Sequence, residues 1–93
     1  MTIESLIELT EVYEIQMLKR HFYSITFDWN GVEMQGNKEG NLELYNEIMD
    51  KGTFQTHDSS EGTYFVVYHA GKNNNGDKVR ICLVVKSKGV KND

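Results

Sequence analysis

Apolar positions in the first twenty residues recur at three- and four-residue steps. Leu6, Leu9, Tyr13 and Met17 share one helical face, and no Gly, Asn or Asp interrupts the run from Ile3 to about Arg20. Thr2 stands where an N-cap hydroxyl is wanted. Glu4, Glu8, Glu11 and Glu14 form a stripe on the opposite side, and Ile15 and Leu18 fall close to it. Two readings accommodate this misfit. The spacing favours one helix covered on two sides near its end; the other reading stops the helix near Glu11 and leaves VYEIQML extended.

The period then changes to two. Tyr23, Ile25, Phe27 and Trp29 point one way, and Phe22, Ser24, Thr26 and Asp28 the other. Asn30-Gly31 is the preferred pair for a type I′ turn, in which both central residues take positive φ. With that pair as the loop, Trp29 faces Val32, Asp28 faces Glu33, Phe27 faces Met34 and Thr26 faces Gln35. Apolar residues meet apolar ones, but two carboxylates are directly opposed, an arrangement normally disfavoured.

GNKEGNLELYNEIMDKG follows, with Asn37 or Asn41 as a helix cap and Leu42, Tyr45, Ile48 and Met49 turned inward. Glu39, Glu43, Glu47 and Asp50 lie outward, and Gly52 is a natural C′ residue. Three more strands are expected in TFQTH, TYFVVYHA and KVRICLVVK, linked through DSSEG and the polar loop GKNNNGD. On the last strand Val79, Ile81, Leu83 and Val85 form one face, and Lys78, Arg80, Cys82, Val84 and Lys86 the other. SKGVKND, residues 87–93, reads as a mobile tail. The order α-β-β-α-β-β-β with hairpin-length links predicts one α+β domain over residues 1–86. Its sheet has about five mainly antiparallel strands, with two helices packed on one face.

Composition agrees with that size. Ninety-three residues with 39% hydrophobic content support a single core. The lone Cys82 cannot close an intramolecular disulfide, and the start MTIESLIELTEVYE carries neither a basic leader nor a long apolar stretch. The longest apolar runs, YFVVY and ICLVV, are strand-length, so a cytoplasmic protein without a membrane span is expected. Net charge is −4, which argues against general nucleic-acid binding. The charge is unevenly spread: residues 1–18 hold four Glu and no basic residue, whereas six of the ten basic residues fall in the last 22 positions.

Familiar chemical motifs fail on context. Gly71 to Gly76 has the glycine spacing of a phosphate-binding P-loop, but Asp77-Lys78 follows in place of Lys and Ser or Thr, and the loop joins two strands. A calcium loop would place Gly71 and Cys82 where carboxylates belong. His21, His57, His69 and Cys82 lack zinc-ligand spacing, although His57 and His69 would come near each other if their strands paired. Cys82 has Arg80 beside it but no histidine placed by sequence, which reads as a structural cysteine rather than a nucleophile. Asp28 and Glu33 are a candidate carboxylate pair for acid–base work, without any visible partner. No enzyme, cofactor or metal is expected from these residues.

What remains is the acidic layout. Glu4, Glu8, Glu11, Asp28, Glu33, Glu39, Glu43 and Glu47 form linear carboxylate arrays suited to a basic groove on another protein, where partner Arg or Lys would relieve the opposed Asp28 and Glu33. Outward Glu also simply keeps a helix solvated. In size, acidity and small α+β build the chain resembles phage- or mobile-element-encoded inhibitors of host defence enzymes, such as anti-CRISPR and anti-restriction proteins. That resemblance implies a non-enzymatic protein-binding inhibitor of a nucleic-acid-binding enzyme and assigns no residue a role. Two alternatives stay open: a nucleic-acid-binding accessory using Arg80, Lys86, Lys88 and Lys91, and a small enzyme or ligand-binding domain using His57, His69 and Cys82. A homodimer through an exposed strand edge, with KVRICLVVK as the candidate, is also open.

Overall fold

The computed structural model describes residues 1–58 and 62–86. The DSSEG link in part, and the 87–93 tail with Lys88 and Lys91, lie outside the described residues. The helices are α1 (Ile3–Glu11), α2 (Ile15–Lys19) and α3 (Leu42–Lys51), the last preceded by a 3-10 turn at Glu39–Asn41. The strands are β1 (Ser24–Asp28), β2 (Gly31–Asn37), β3 (Gln55–Asp58), β4 (Thr63–Lys72) and β5 (Lys78–Lys86). They form one five-stranded sheet in the order β1-β2-β5-β4-β3. Three pairings are antiparallel, and β2 runs parallel to β5. The α+β class and the mostly antiparallel sheet hold. The sheet is nevertheless mixed, and three helices stand where the apolar spacing gave two.

The first helix ends at Glu11 because the chain turns left-handed there. Tyr13 has φ +54, and Glu14 N–H donates to the Leu9 carbonyl at 3.1 Å. That six-to-one bond with a left-handed residue at C′ is a Schellman stop, made with Tyr where Gly is the usual occupant. The following residues restart as α2 rather than extending. Ile15 and Leu18, which did not fit the α1 stripe, belong to this second helix, and Leu18 is fully buried. Thr2 caps α1 as expected, its hydroxyl accepting from Ser5 N–H at 3.0 Å. Gly52 ends α3 with φ +71.

The hairpin forms one register away from the expected one. Ser24 pairs with Gln35, Ile25 with Met34, Thr26 with Glu33, Phe27 with Val32 and Asp28 with Gly31, so Trp29 and Asn30 are the loop. Asp28 and Glu33 are therefore not opposed. The Asp28 Oδ1 atom accepts from the amides of Asn30 (2.8 Å) and Gly31 (3.2 Å), so this carboxylate closes its own turn. Gly31 is consumed by the sheet instead of the loop. Its φ is +141, and a Cβ there would lie 2.2 Å from the Lys78 carbonyl oxygen on β5.

One apolar cluster joins the helices to one face of the sheet. Ile3, Leu6, Leu18, Leu44 and Ile48 pack with Val32, Met34, Val66, Tyr68, Val79, Ile81, Leu83 and Val85. On α3 the inward residues are Leu44 and Ile48, with Tyr45 and Met49 partly buried; Leu42, expected inside, is exposed, and Asn41 is buried without capping the helix. The loop after β4, read from sequence only as a polar connection, is docked on the end of α1. Buried Asn73 donates through Nδ2 to the Thr10 hydroxyl (3.0 Å) and accepts at Oδ1 from the amides of Asn75 and Asp77. Asn74 N–H donates to Glu11 Oε2 at 2.7 Å, and Asn75 Nδ2 to the Glu11 carbonyl at 2.9 Å. Among the described residues no helix is long and apolar enough to cross a membrane.

Two substitutions test these joints. Tyr13→Gly is expected to be more stable than Tyr13→Ala by about 1 kcal/mol, because both lose the ring while only Ala keeps the left-handed Cβ clash; equal stabilities in urea unfolding would show no strain at this position. Thr10→Val, which leaves the buried Asn73 amide unpaired, is expected to cost about 1–3 kcal/mol in the same measurement.

Candidate functional site

Five of the eight carboxylates singled out from the sequence are engaged within the chain. Asp28 binds its turn, Glu11 holds Asn74, and Glu47 accepts from the Ile3 amide at 2.8 Å. Glu43 pairs with the Met1 amine. Glu33 lies 3.8 Å from Arg80 and accepts from the Cys82 thiol and the Gln35 amide, each at 3.4 Å. Glu4, Glu8 and Glu39 remain exposed, with no ion pair or side-chain hydrogen bond among the described residues. Glu4, Glu8, Glu11 and Glu47 do converge on one groove between α1 and α3, but Lys51 and Lys72 border it as well. The structure thus joins α1 and α3 carboxylates across that groove and leaves the hairpin carboxylates elsewhere.

The sheet face away from the helices carries the remaining candidate chemistry in cross-strand rows. Thr26, Glu33, Arg80 and His69 form one row, and Ser24, Gln35, Cys82 and Val67 the next. Val84, Phe65 and His57 form a third, so His57 on β3 stands opposite Phe65, four residues along β4 from His69, and the two histidines do not come together although their strands pair. At about 3.3 Å of rise per residue the rows that hold the two histidines are roughly 13 Å apart along the strands. No group of three or more His, Cys, Asp or Glu that could hold a metal occurs among the described residues. The Cys82 thiol is pushed up from its ordinary 9.0 to about 11, first by burial and then by its hydrogen bond to Glu33 and that carboxylate's charge, with Arg80 acting in the opposite direction. A thiol so placed stays protonated near neutral pH, the reverse of an activated nucleophile.

A different surface stands out along β1, an edge strand of the sheet. β5, the candidate edge from sequence, lies instead between β2 and β4. Edge position leaves one side of the β1 backbone without a strand partner. Alongside it, Ile15, Phe22, Tyr23, Ile25 and Phe27 line a groove between α2 and β1, with Lys19 at its rim. Tyr13 is 54% exposed and its ring lies 5.3 Å from that of Phe27. Tyr23 is 59% and Trp29 93% exposed, while Val12 and Met17 add further uncovered apolar surface on the same stretch of chain. The aromatic alternation at 23–29 was visible in the sequence. What hid its exposure was the break at Tyr13, which brings α2 beside β1 without covering it.

No family model, curated protein or solved structure matches the chain.

The thiol gives a pH test. Below about pH 9 Cys82 is protonated in both folded and unfolded chains, and its contribution to stability is fully present. As pH rises from 9 through about 11 the unfolded chain releases the proton first, so stability falls. Wild type is therefore expected to lose more stability than Cys82→Ala between about pH 8 and about pH 10.5 in urea unfolding; parallel losses would show that the buried thiol does not titrate in this way.

Proposed function

We propose that the protein is a non-enzymatic protein-binding module that captures an extended apolar segment of a partner along β1. The observation that carries this reading is the exposed apolar edge: an unpaired strand lies beside a groove of Ile15, Phe22, Tyr23, Ile25 and Phe27. Strand addition supplies backbone hydrogen bonds, and alternate side chains of the added segment find pockets beside the edge. Exposed aromatic residues are the side chains that most often dominate binding energy at such interfaces. Scattered apolar residues on a surface need no explanation, whereas a contiguous patch does; contact between the Tyr13 and Phe27 rings makes this one contiguous.

The acidic-inhibitor reading loses most of its residues to internal bonds. Inhibition of a nucleic-acid-binding host enzyme through carboxylates would now rest on Glu4, Glu8 and Glu39. Asp28 holds a turn and Glu33 faces Arg80, so reversing their charges would disturb the fold as well as any interface they make. The apolar edge carries the protein-binding reading without them.

Affinity capture from a lysate of the source cell, with wild type and Tyr23→Ser/Trp29→Ser as baits, tests the proposal. A partner retained by wild type at about 500 mM salt and lost from the double variant is expected, because apolar contacts survive screening that weakens exposed charge pairs. The same partners on both baits, or partners released by salt from wild type, would place the interface elsewhere. Both substitutions fall on highly exposed residues, so the double variant is expected to keep wild-type stability within about 0.5 kcal/mol, checked by thermal unfolding.

A further inference from the structure

The end of the sheet where β4 passes into β5 gathers positive charge around a hollow. Its cavity of about 500 Å³ is lined by Asp28, Gly31, Glu33, His69, Gly71, Lys72, Lys78 and Arg80, among others. Here a like-charge pair is directly opposed: Lys72 faces Lys78, and in the adjoining row His69 faces Arg80. Opposed like charges destabilise a ladder. The pairing is also produced by a departure from regular structure. A bulge between His69 and Gly71 sets Gly71 opposite Val79, where an unbroken ladder from His69 would set it opposite Lys78. The extra residue carries Lys72 to Lys78, with Gly71 at φ +91. Bulges re-aim side chains, and they concentrate near sites.

Lys72 and Lys78 take part in no ion pair or side-chain hydrogen bond among the described residues, although Lys72 also borders the groove of Glu4, Glu8, Glu11 and Glu47 and Arg80 stands beside Glu33. Arg80 keeps a buried Nε without a hydrogen-bond partner, and its contact with Glu33 is long at 3.8 Å. Asp28 accepts from the amides of its turn and Glu33 from Cys82 and Gln35 with Arg80 beside it, so both carboxylates of the lining are turned to internal donors but keep their charge, and the three cations leave only a small positive excess in the hollow.

From this arrangement we infer that the hollow binds the phosphate group of a small phosphorylated molecule, with Lys72, Lys78 and Arg80 as the charge partners and His69 beside them. A guanidinium and two ammonium groups around a concavity suit a compact dianion. A small ligand is favoured over a nucleic-acid backbone because the site is a concavity, and because the chain as a whole carries −4, which opposes a long polyanion. The hollow adjoins the hairpin tip but uses none of the residues lining the β1 groove except the shared hairpin backbone, so it stands or falls separately from the protein-binding reading.

Amide shifts in two-dimensional NMR test the inference, with inorganic phosphate, glycerol phosphate and a single-stranded oligonucleotide titrated at constant ionic strength against a chloride control. Saturable shifts with either phosphate probe at Gly31, His69, Gly71, Lys72, Lys78 and Arg80 are expected. Affinity should fall about tenfold in Lys72→Gln or Lys78→Gln and further in the double variant. Removing one opposed charge should hold or raise the unfolding temperature, so loss of binding cannot be blamed on misfolding. Shifts that never saturate, that chloride reproduces, or that persist unchanged in the double variant would overturn the inference. Tighter binding of the oligonucleotide than of either small phosphate would replace the small ligand with a nucleic-acid backbone.

Discussion

The parallel pairing of β2 with β5 is the constraint on which the rest of the molecule depends. It brings residues 31–37 against residues 78–84 across more than forty intervening positions, and makes β5 a central strand with neighbours on both sides. Val32 and Met34 thereby meet Val79 and Ile81 on the helix side, where all four are buried. The opposite face of the same pairing puts Glu33 beside Arg80 and Gln35 beside Cys82. Its tightest point is Gly31 against the Lys78 backbone, where no side chain fits. Because a parallel pair needs a long crossover, the chain spends α3, β3 and β4 between the two strands, and the hairpin is left with β1 as an edge.

A second joint fixes how α1 meets the sheet. The Schellman stop at Tyr13 ends α1 at Glu11, and the Asn73–Asn75 segment grips the end so produced. A buried polar group without a partner is costly, so most find one. Thr10 and Asn73 satisfy one another, while Asn73 also holds two amides of its own loop. This interlock makes the β4–β5 connection a structural clamp, and it brings the chain into β5 directly at Lys78. The apolar surface beside β1 and the cationic end of β4 and β5 are thus both by-products of how two termini of regular elements are tied down.

Local patterns were legible in the sequence, and distances along the chain were not. The Thr2 cap, the Gly52 stop, the two faces of β5 and the existence of the hairpin follow from neighbours within a few residues. The hairpin register did not, although its apolar partners matched in the expected frame. Asn30-Gly31 is as strong a turn signal as sequences offer, but Gly31 was required by β5, a strand nearly fifty residues away. Moving the loop by one residue then moved each cross-strand partner by two, taking Glu33 from Asp28 to Thr26. The misfit of Ile15 and Leu18 did mark a break near Glu11. That the chain resumed as helix depended on a left-handed Tyr13, which no propensity suggests. The bulge at Gly71 and the docking of the asparagines likewise had no local signature beyond a loop rich in Gly and Asn.

The opposed like charges that the sequence seemed to place at Asp28 and Glu33 belong physically to Lys72 and Lys78. This reversal of sign changes where an anion or an acidic surface can act. Carboxylates of the hairpin are bound to backbone amides or stand beside a guanidinium and thiol, so they have little capacity left for a partner. Among the described residues the lysines form no direct ion pair, and Gly71 leaves open space before them instead of a side chain. Exposed carboxylates are concentrated instead on α1 and before α3, on the helix side of the molecule. The groove between α1 and α3 is therefore mainly acidic, with Lys51 and Lys72 at its border, and the end of β4 and β5 is mainly basic, with Asp28 and Glu33 in the same hollow. The −4 of the whole chain averages over this division. A small ligand seated at one of these places responds to the local field within about 10 Å, the screening length at moderate salt, whereas a long polyanion meets the charge of the whole chain.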